Sequence, residues 1–466
     1  MSDSYLNFVN SHFGHRLSGL LGLPQPVPLE RHQAGQPVVV GDVLMAAGPY
    51  PEATQALVQA SQRLQLSTLA HRSCAGWTAL ANAHGLLSGP WQLGEQPGGR
   101  IKALVIDATG LSTVAQTEVI HQCLNETVKS LLPCGRVLVV ARPPESAPGV
   151  EQAAVQRGLV GLVKSLGKEL KRGITAQLIQ VAPGAEAQIE GCLRFFLSPR
   201  SAYVSGQSVR LEPVDPPLAF EPAAWLSGQT FMVTGAARGI GAAIATTLAR
   251  EGARVVCVDV PQVQSHLQDM ADRIQGRALV LDITVPDASA TLLHAAQEDG
   301  GWNGVVHNAG ITRDKTIARM PPHLWQSLLD VNLSAPLRIS QALLDAQALK
   351  PGARLVGVSS ISGIAGNVGQ TNYAFSKAGV IGWVQAQAPH LPAGMALNAV
   401  APGFIETQMT ASIPLAIREA GRRMNAMGQG GQAQDVAEAI AWLLSPASQG
   451  VNGQVLRVCG LSLLGA

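Results

Sequence analysis

Phe231 to Val260 reads "FMVTGAARGIGAAIATTLAREGARVVCVDV", and the fold turns on how this stretch is read. An aliphatic run, a glycine-spaced turn, a helix-like segment and a second aliphatic run follow in order, the pattern of a βαβ unit. Gly235, Gly239 and Gly241 punctuate the turn, where the missing Cβ lets backbone approach a pyrophosphate. The helix that opens beside Ile240 offers free N–H groups and the positive end of its dipole to that charge. Asp259 ends the second strand about twenty residues on, where a carboxylate accepts hydrogen bonds from ribose hydroxyls and repels a 2′-phosphate. Arg238 is the competing signal, because a guanidinium pairs with such a phosphate. The balance predicts NADH rather than NADPH.

Outward from this unit, short aliphatic runs alternate with helical segments: "ALVLDI", "GVVHNAG", "ARLVGVSS", "ALNAVAPG" and "GQVLRV". Near-continuous Val, Ile and Leu runs separated by helices predict an α/β fold, a doubly wound parallel sheet of Rossmann type. The N-terminal part gives a fainter version with "QPVVVGDVLMAAG", "IKALVIDATG", "GRVLVVARP" and "TAQLIQVAPG" as strands. Residues 212–228, "EPVDPPLAFEPAAWLSG", are rich in proline and read as a linker. The expected organisation is a degenerate Rossmann- or flavodoxin-like α/β domain over 1–211, a linker over 212–228 and a dinucleotide-binding domain over 229–466.

The two halves echo each other in order. "GRVLVVARPPES" answers "ARLVGVSSISG", "TAQLIQVAPGA" answers "MALNAVAPGF", and "LSPRSAYVSGQSVRL" answers "LSPASQGVNGQVLRV". Setting Gly161 against Gly382 places Gln152 opposite Tyr373 and Gln156 opposite Lys377.

A chain of 466 residues with 47% hydrophobic and 14% charged residues has material for a large aliphatic core. A formal net charge of +2 leaves no broad basic face for nucleic acid. No apolar run approaches a membrane span and the first residues lack a signal-peptide pattern, so a soluble, cytoplasmic protein is expected. The six cysteines fall without a CxxC or His-Cys cluster, which predicts buried free thiols and no metal site.

Over about residues 226–466 the chain resembles the short-chain dehydrogenase/reductase family. The resemblance rests on "TGAARGIG", "LDIT", "HNAG", "VNLSA", a Ser thirteen residues before "YAFSK", and "APGFIET". Within that family "AGITRDK" and "APGFIETQMT" look like the 3-oxoacyl-acyl carrier protein reductases, and the long two-part chain is similar to their high-molecular-weight, NADH-associated form. The resemblance implies Tyr373 as general acid, Lys377 as its partner and a ribose ligand, Ser360 as orienter of the substrate carbonyl, and Asn332 as organiser of a water-linked proton relay. It further implies Asp282 and Ile283 at the adenine, Asn308, Ala309 and Gly310 along the ribose and nicotinamide, and Pro402, Gly403, Ile405 and Thr407 at the carboxamide. His307 departs from the Asn common at that place. The implied reaction is reduction of a 3-oxoacyl thioester, carried on acyl carrier protein or coenzyme A, by a homodimer or homotetramer. A 3-hydroxyacyl-CoA or other alcohol dehydrogenase, and a non-catalytic NAD-binding scaffold, are the alternative readings.

Chemistry supports those roles. A phenol of ordinary pKa near 10 is poorly matched to neutral pH, and Lys377, four residues on and on the same helix face, is expected to draw it downward. Residues 404–431 read as a helical lid whose Arg418, Arg422 and Arg423 meet an acidic carrier protein or the phosphates of coenzyme A, or form a solvated face salted by Glu419. In the N-terminal half Arg142 stands opposite Ser360, and with Gln152 and Gln156 it leaves that half without the reacting groups, so no nicotinamide or flavin is expected there.

Overall fold

The computed structural model describes residues 3–92, 99–214, 224–411 and 413–463. One seven-stranded sheet is built from β1 (Val43–Ala47), β2 (Thr68–Ala70), β3 (Ser88–Pro90), β4 (Ile101–Asp107), β5 (Leu131–Ala141), β6 (Thr175–Val181) and β7 (Gln207–Leu211). The other comprises β8 (Thr230–Thr234), β9 (Arg254–Asp259), β10 (Arg277–Val280), β11 (Trp302–His307), β12 (Leu349–Val358), β13 (Ala396–Pro402) and, last in the chain, β16 (Val455–Val458). A two-stranded ribbon joins β14 (Ile405–Glu406) to β15 (Gly431–Gln432).

The strand orders are β3-β2-β1-β4-β5-β6-β7 and β10-β9-β8-β11-β12-β13-β16, the same permutation twice. Every pairing in both is parallel. This is the Rossmann order extended by one strand, so of the two fold types expected for the N-terminal half the flavodoxin-like one is set aside. The aliphatic runs are buried on both faces because helices cover both; β8, for example, is buried at every residue. Within the predicted linker, residues 215–223 lie outside the described residues.

The halves share a core. The helix Ala433–Leu444 is buried at all ten positions from Asp435 to Leu444, and a helix apolar nearly all round needs cover on every side. The N-terminal half supplies part of that cover. The Trp442 indole stacks on Phe195 at 4.7 Å between centroids and 6° between planes, and donates to the Gly191 carbonyl at 3.2 Å. Gly191 lies so close to the Ala447 carbonyl oxygen that a Cβ would sit 1.7 Å from it. Tyr203, fully buried, donates to the Gln429 carbonyl at 2.8 Å.

The edges β7 and β16 meet through a reciprocal exchange. Arg210 N–H donates to Gln454 Oε1 at 2.8 Å, Gln454 Nε2 donates to the Arg210 carbonyl at 2.6 Å, and Arg457 N–H donates to Gln207 Oε1 at 3.1 Å. Gln207 and Gln454, like Arg210 and Arg457, are repeat equivalents. Residue i touching j′ while j touches i′ is the signature of an isologous two-fold interface, here within one chain.

Candidate active site

In the second half the sheet reverses direction of growth between β8 and β11, and the crevice outside their carboxyl ends is where a dinucleotide binds in such folds. The glycine turn after β8 is shaped by close approach. A Cβ on Gly241 would lie 1.9 Å from the Gly235 carbonyl oxygen, whereas Gly239, with φ of +60°, has nothing within 4 Å of where its Cβ would be. Among the described residues no side chain caps the helix Gly239–Arg250, and Arg238 and Gly239 are exposed. An open glycine beside an uncapped helix start fits a pyrophosphate. The half-buried Ile240 opens the helix, packed against the core.

Asp259 spans that turn. Its carboxylate accepts from Ala237 N–H at 3.0 Å and Val260 N–H at 2.9 Å, fixing an acid where the adenosine ribose would arrive. Asp282 is occupied locally, accepting from the amide and hydroxyl of Thr284 at 2.9 and 2.7 Å. The Ile283 side chain is buried in the core, and its carbonyl accepts from Arg338 at 2.9 Å. Asn308 latches the turn from the neighbouring strand, donating from Nδ2 to the carbonyls of Thr234 and Gly235 at 3.0 and 3.2 Å. Ala309 N–H donates to the Thr234 hydroxyl at 3.0 Å.

The polar groups of the reacting end converge beyond Gly310, where an added Cβ would meet Lys377 Nζ at 3.3 Å and Asn332 Oδ1 at 3.4 Å. Asn332 lies in a π-helical turn, Asp330–Ser334, a widening of the helix frequent at functional sites. Its amide is fixed by Ile311 N–H at 2.9 Å, the Ile311 carbonyl at 3.0 Å and Ser376 Oγ at 3.2 Å. Ser360 caps the short helix Ile361–Ala365 by accepting from Ser362 N–H at 3.1 Å. Tyr373 and Lys377 share a face of the helix Thr371–Gln387, with Nζ 5.7 Å from the phenol ring centroid.

Burial pushes the Tyr373 phenol above its ordinary value, Ser360 opposes that shift, and the Asp314 carboxylate adds to it. The expected lowering by Lys377 is thus corrected: the ammonium donates to the Val358 carbonyl at 2.8 Å, and burial lowers its own pKa to about 8. A dry phenol stays protonated at neutral pH. Ser376 and Asp314 act on the site through Asn332 and Tyr373; neither stands out in the sequence, since a Ser inside "FSK" and an Asp in a polar loop carry no spacing signal.

At the other side of the mouth, Pro402 ends β13 and Gly403 N–H donates to the Val458 carbonyl at 2.9 Å. Ile405 is buried on β14. Thr407 closes a reciprocal pair with Thr410, its amide donating to Thr410 Oγ1 at 2.9 Å. The lid arginines are not a free cationic cluster, which corrects one of the two readings of them. Arg422 is 3% exposed and clamps Glu406 at 2.5 and 2.8 Å while also bonding Glu419. Arg423 pairs with Asp3 and Glu419, and Arg418 donates to the Ala411 carbonyl at 3.1 Å.

The corresponding crevice of the N-terminal half is filled by its own side chains. Arg142 bridges Glu52 at 2.8 Å and Glu186 at 2.7 Å. Gln156, fully buried, accepts from Arg142 N–H at 3.0 Å and donates to the carbonyls of Leu111 and Ala108 at 2.8 and 3.1 Å. Gln152 stands one turn earlier on the same helix, Val150–Glu169. Gly110 crowds the first turn, where its Cβ would lie 1.9 Å from the Tyr50 carbonyl oxygen.

Residues 235–460 match the family model described as enoyl-(acyl carrier protein) reductase. The chain is 38% identical over 239 residues to the 3-oxoacyl-[acyl-carrier-protein] reductase of Vibrio cholerae, covering 97% of that protein and 50% of this one. It is likewise 38% identical over 242 residues to the enzyme of that name from Pseudomonas aeruginosa, and over 237 residues to that from Escherichia coli, covering 97% and 96% of them. Nearly the whole length of each relative is thus matched by half of this chain. The chain belongs to the short-chain dehydrogenase/reductase family of oxidoreductases.

Proposed function

We propose that the chain reduces 3-oxoacyl thioesters to 3-hydroxyacyl thioesters with NADH, in fatty acid metabolism in the cytoplasm. The observation that carries the reading is the convergence of Ser360, Tyr373, Lys377 and Asn332 beyond the uncapped glycine turn. The substrate class comes from the matched relatives, whose names make them 3-oxoacyl-[acyl-carrier-protein] reductases; carrier protein and coenzyme A thioesters share the reacting group.

A reduced nicotinamide, when bound, supplies the hydride. Tyr373 donates the proton to the carbonyl oxygen as negative charge develops there, and Ser360 offers a second hydrogen bond to that oxygen. Lys377 would hold the ribose hydroxyls of a bound nicotinamide nucleotide and keep the proton path charged. Asn332 holds the Ile311 backbone and Ser376, leaving a polar track through which Tyr373 is reprotonated. Asp282, Ile283, Asn308, Ala309, Gly310, Pro402, Gly403, Ile405 and Thr407 would line the remaining length of a bound cofactor. The preference for NADH is supported by the Asp259 carboxylate, held across the turn beside Arg238.

Residues 1–211 form the non-catalytic domain in this reading, joined through 212–228 to the catalytic domain 229–466. The Arg142 and Gln156 bonds that fill its crevice support a half that takes up neither nicotinamide nor flavin. A second copy joins through the helices beside Asn332 and Tyr373, giving a homodimer or homotetramer.

The test is turnover of acetoacetyl-CoA and a longer 3-oxoacyl thioester with NADH and with NADPH. Faster turnover with NADH, reversed toward NADPH by Asp259→Ser, is expected. Equal use of both cofactors would overturn the NADH assignment, and absence of thioester reduction would overturn the substrate class.

A further inference from the structure

The lid segment beside β14 is held by the opposite end of the chain. Asp3, 9% exposed, grips Arg423 with both carboxylate oxygens at 2.6 Å, and also accepts from Leu6 N–H to cap the helix Ser4–Val9. The Arg423 guanidinium lies 4.8 Å from the Tyr5 ring centroid, and Tyr5 donates its hydroxyl to the Pro24 carbonyl at 2.7 Å. After the helix His12–Leu20 the segment runs back along the lid. Gln429 donates to the Val27 carbonyl at 2.7 Å, Arg31 clamps Asp435 at 3.0 Å, and Gln434 donates to the His32 carbonyl at 3.0 Å. The segment is itself fixed to the N-terminal half by the Glu30–Lys102 pair at 2.7 Å.

From Asp3 the charges run on in an unbroken series. Arg423 bonds Glu419, Glu419 bonds Arg422, and Arg422 clamps Glu406 on β14. β14 is the ribbon strand next to Thr407, at the mouth of the site. Resting on the function proposed above, we infer that residues 3–32 are a strap that positions the substrate lid, with Asp3, Tyr5 and Arg423 as positioning residues. The strap sets how tightly the acyl thioester is held and takes no part in hydride or proton transfer. Five charged groups joined by four ion pairs in series place the lid helix Leu415–Arg423 against β14 more firmly than its own short helix would.

The experiment compares the full chain with Asp3→Arg, Arg423→Asp and the double swap. Each single variant is expected to raise KM for a long 3-oxoacyl thioester about tenfold, to leave kcat and KM for NADH within about twofold, and to speed amide exchange over residues 413–432. The double swap, which restores opposite charges at the 3–423 link but sets a carboxylate at 423 beside Glu419, is expected to recover part of both KM and protection. Unchanged KM and exchange in the single variants would overturn the strap, as would equal losses in KM for NADH, or a swap that folds with the parent's Tm and recovers neither readout. If the parent itself reduces no thioester, the proposed substrate class fails, and amide exchange alone then decides the strap.

Discussion

Phe195 and Trp442 occupy equivalent stations of the repeat and stack on each other, centroids 4.7 Å apart, in the centre of the contact between the halves. A pair of equivalent residues can touch only on a two-fold axis, so this contact marks the pseudo-axis of the chain. Both rings are fully buried. Trp442→Ala removes one ring and the bond to Gly191, and is expected to destabilise by about 3–5 kcal/mol. In the parent the shared core predicts one cooperative urea transition for both halves. Intrinsic fluorescence and circular dichroism should coincide in the parent and separate in the variant.

The same interface buries an ion network. Glu438, 2% exposed, receives Arg200 at 2.7 Å from the N-terminal half and Arg250 at 2.8 Å from the helix that starts at the glycine turn. The two guanidiniums hold its carboxyl below the usual range although burial acts the other way. Glu438→Gln leaves two partly buried cations with Glu251 alone, and a loss of roughly 3 kcal/mol is expected. Because Arg250 ends the helix that starts at the glycine turn, the proposed cofactor site predicts that the variant's KM for NADH rises while its kcat stays near the parent's. A stability change without that KM shift would confine the network to a structural role.

His307, where the family commonly has Asn, is buried against Trp383 and Ser340, and burial lowers its pKa to about 3. The unfolded imidazole keeps the ordinary value near 6.5, so the unfolded chain binds the proton first as pH falls. The folded state therefore loses nothing above pH 6.5, and loses up to roughly 4 kcal/mol between there and pH 3. His307→Asn should flatten the acid limb of stability against pH while leaving the parent's value at pH 7.5 within about 1 kcal/mol. Equal slopes in the two proteins would contradict a neutral buried imidazole.

Lys377 shows the same linkage at the alkaline side. Its folded pKa of about 8 lies below the unfolded 10.5, so its burial penalty is present in full below pH 8 and fades as pH rises toward 10.5. Relative to Lys377→Met, the parent should gain roughly 3 kcal/mol between pH 7 and pH 10.5. Urea titrations at the two pH values measure the difference directly.

Tyr373→Phe keeps the ring and loses the proton. Turnover is expected to fall by about two to four orders of magnitude with NADH affinity near that of the parent. A surviving rate would remove Tyr373 as general acid.

Much of this was legible because parallel sheets advertise themselves. "VVCV" and "GVVH" are buried on both faces and read as strands without any partner in view. β2 and β3 leave no mark in the sequence, because a strand of three residues such as Ser88–Pro90 has no aliphatic run to reveal it. The first N-terminal strand was read too long: only Val43–Ala47 of that run pairs. The arginines of the lid illustrate the deeper limit. Local composition carries no information about a partner such as Asp3, 420 residues from Arg423, so an engaged ion pair looked like a vacant cationic face.

The internal two-fold contact has a further consequence. In an oligomer of identical subunits a substitution appears on both sides of the axis at once, and an interface held by mass action dissolves on dilution. Here Gln207 and Gln454, or Gln156 and Lys377, change one at a time. The chain carries its neighbour at fixed local concentration, and that neighbour is free to give up Tyr and Lys for Gln while the two-fold contact itself stays intact.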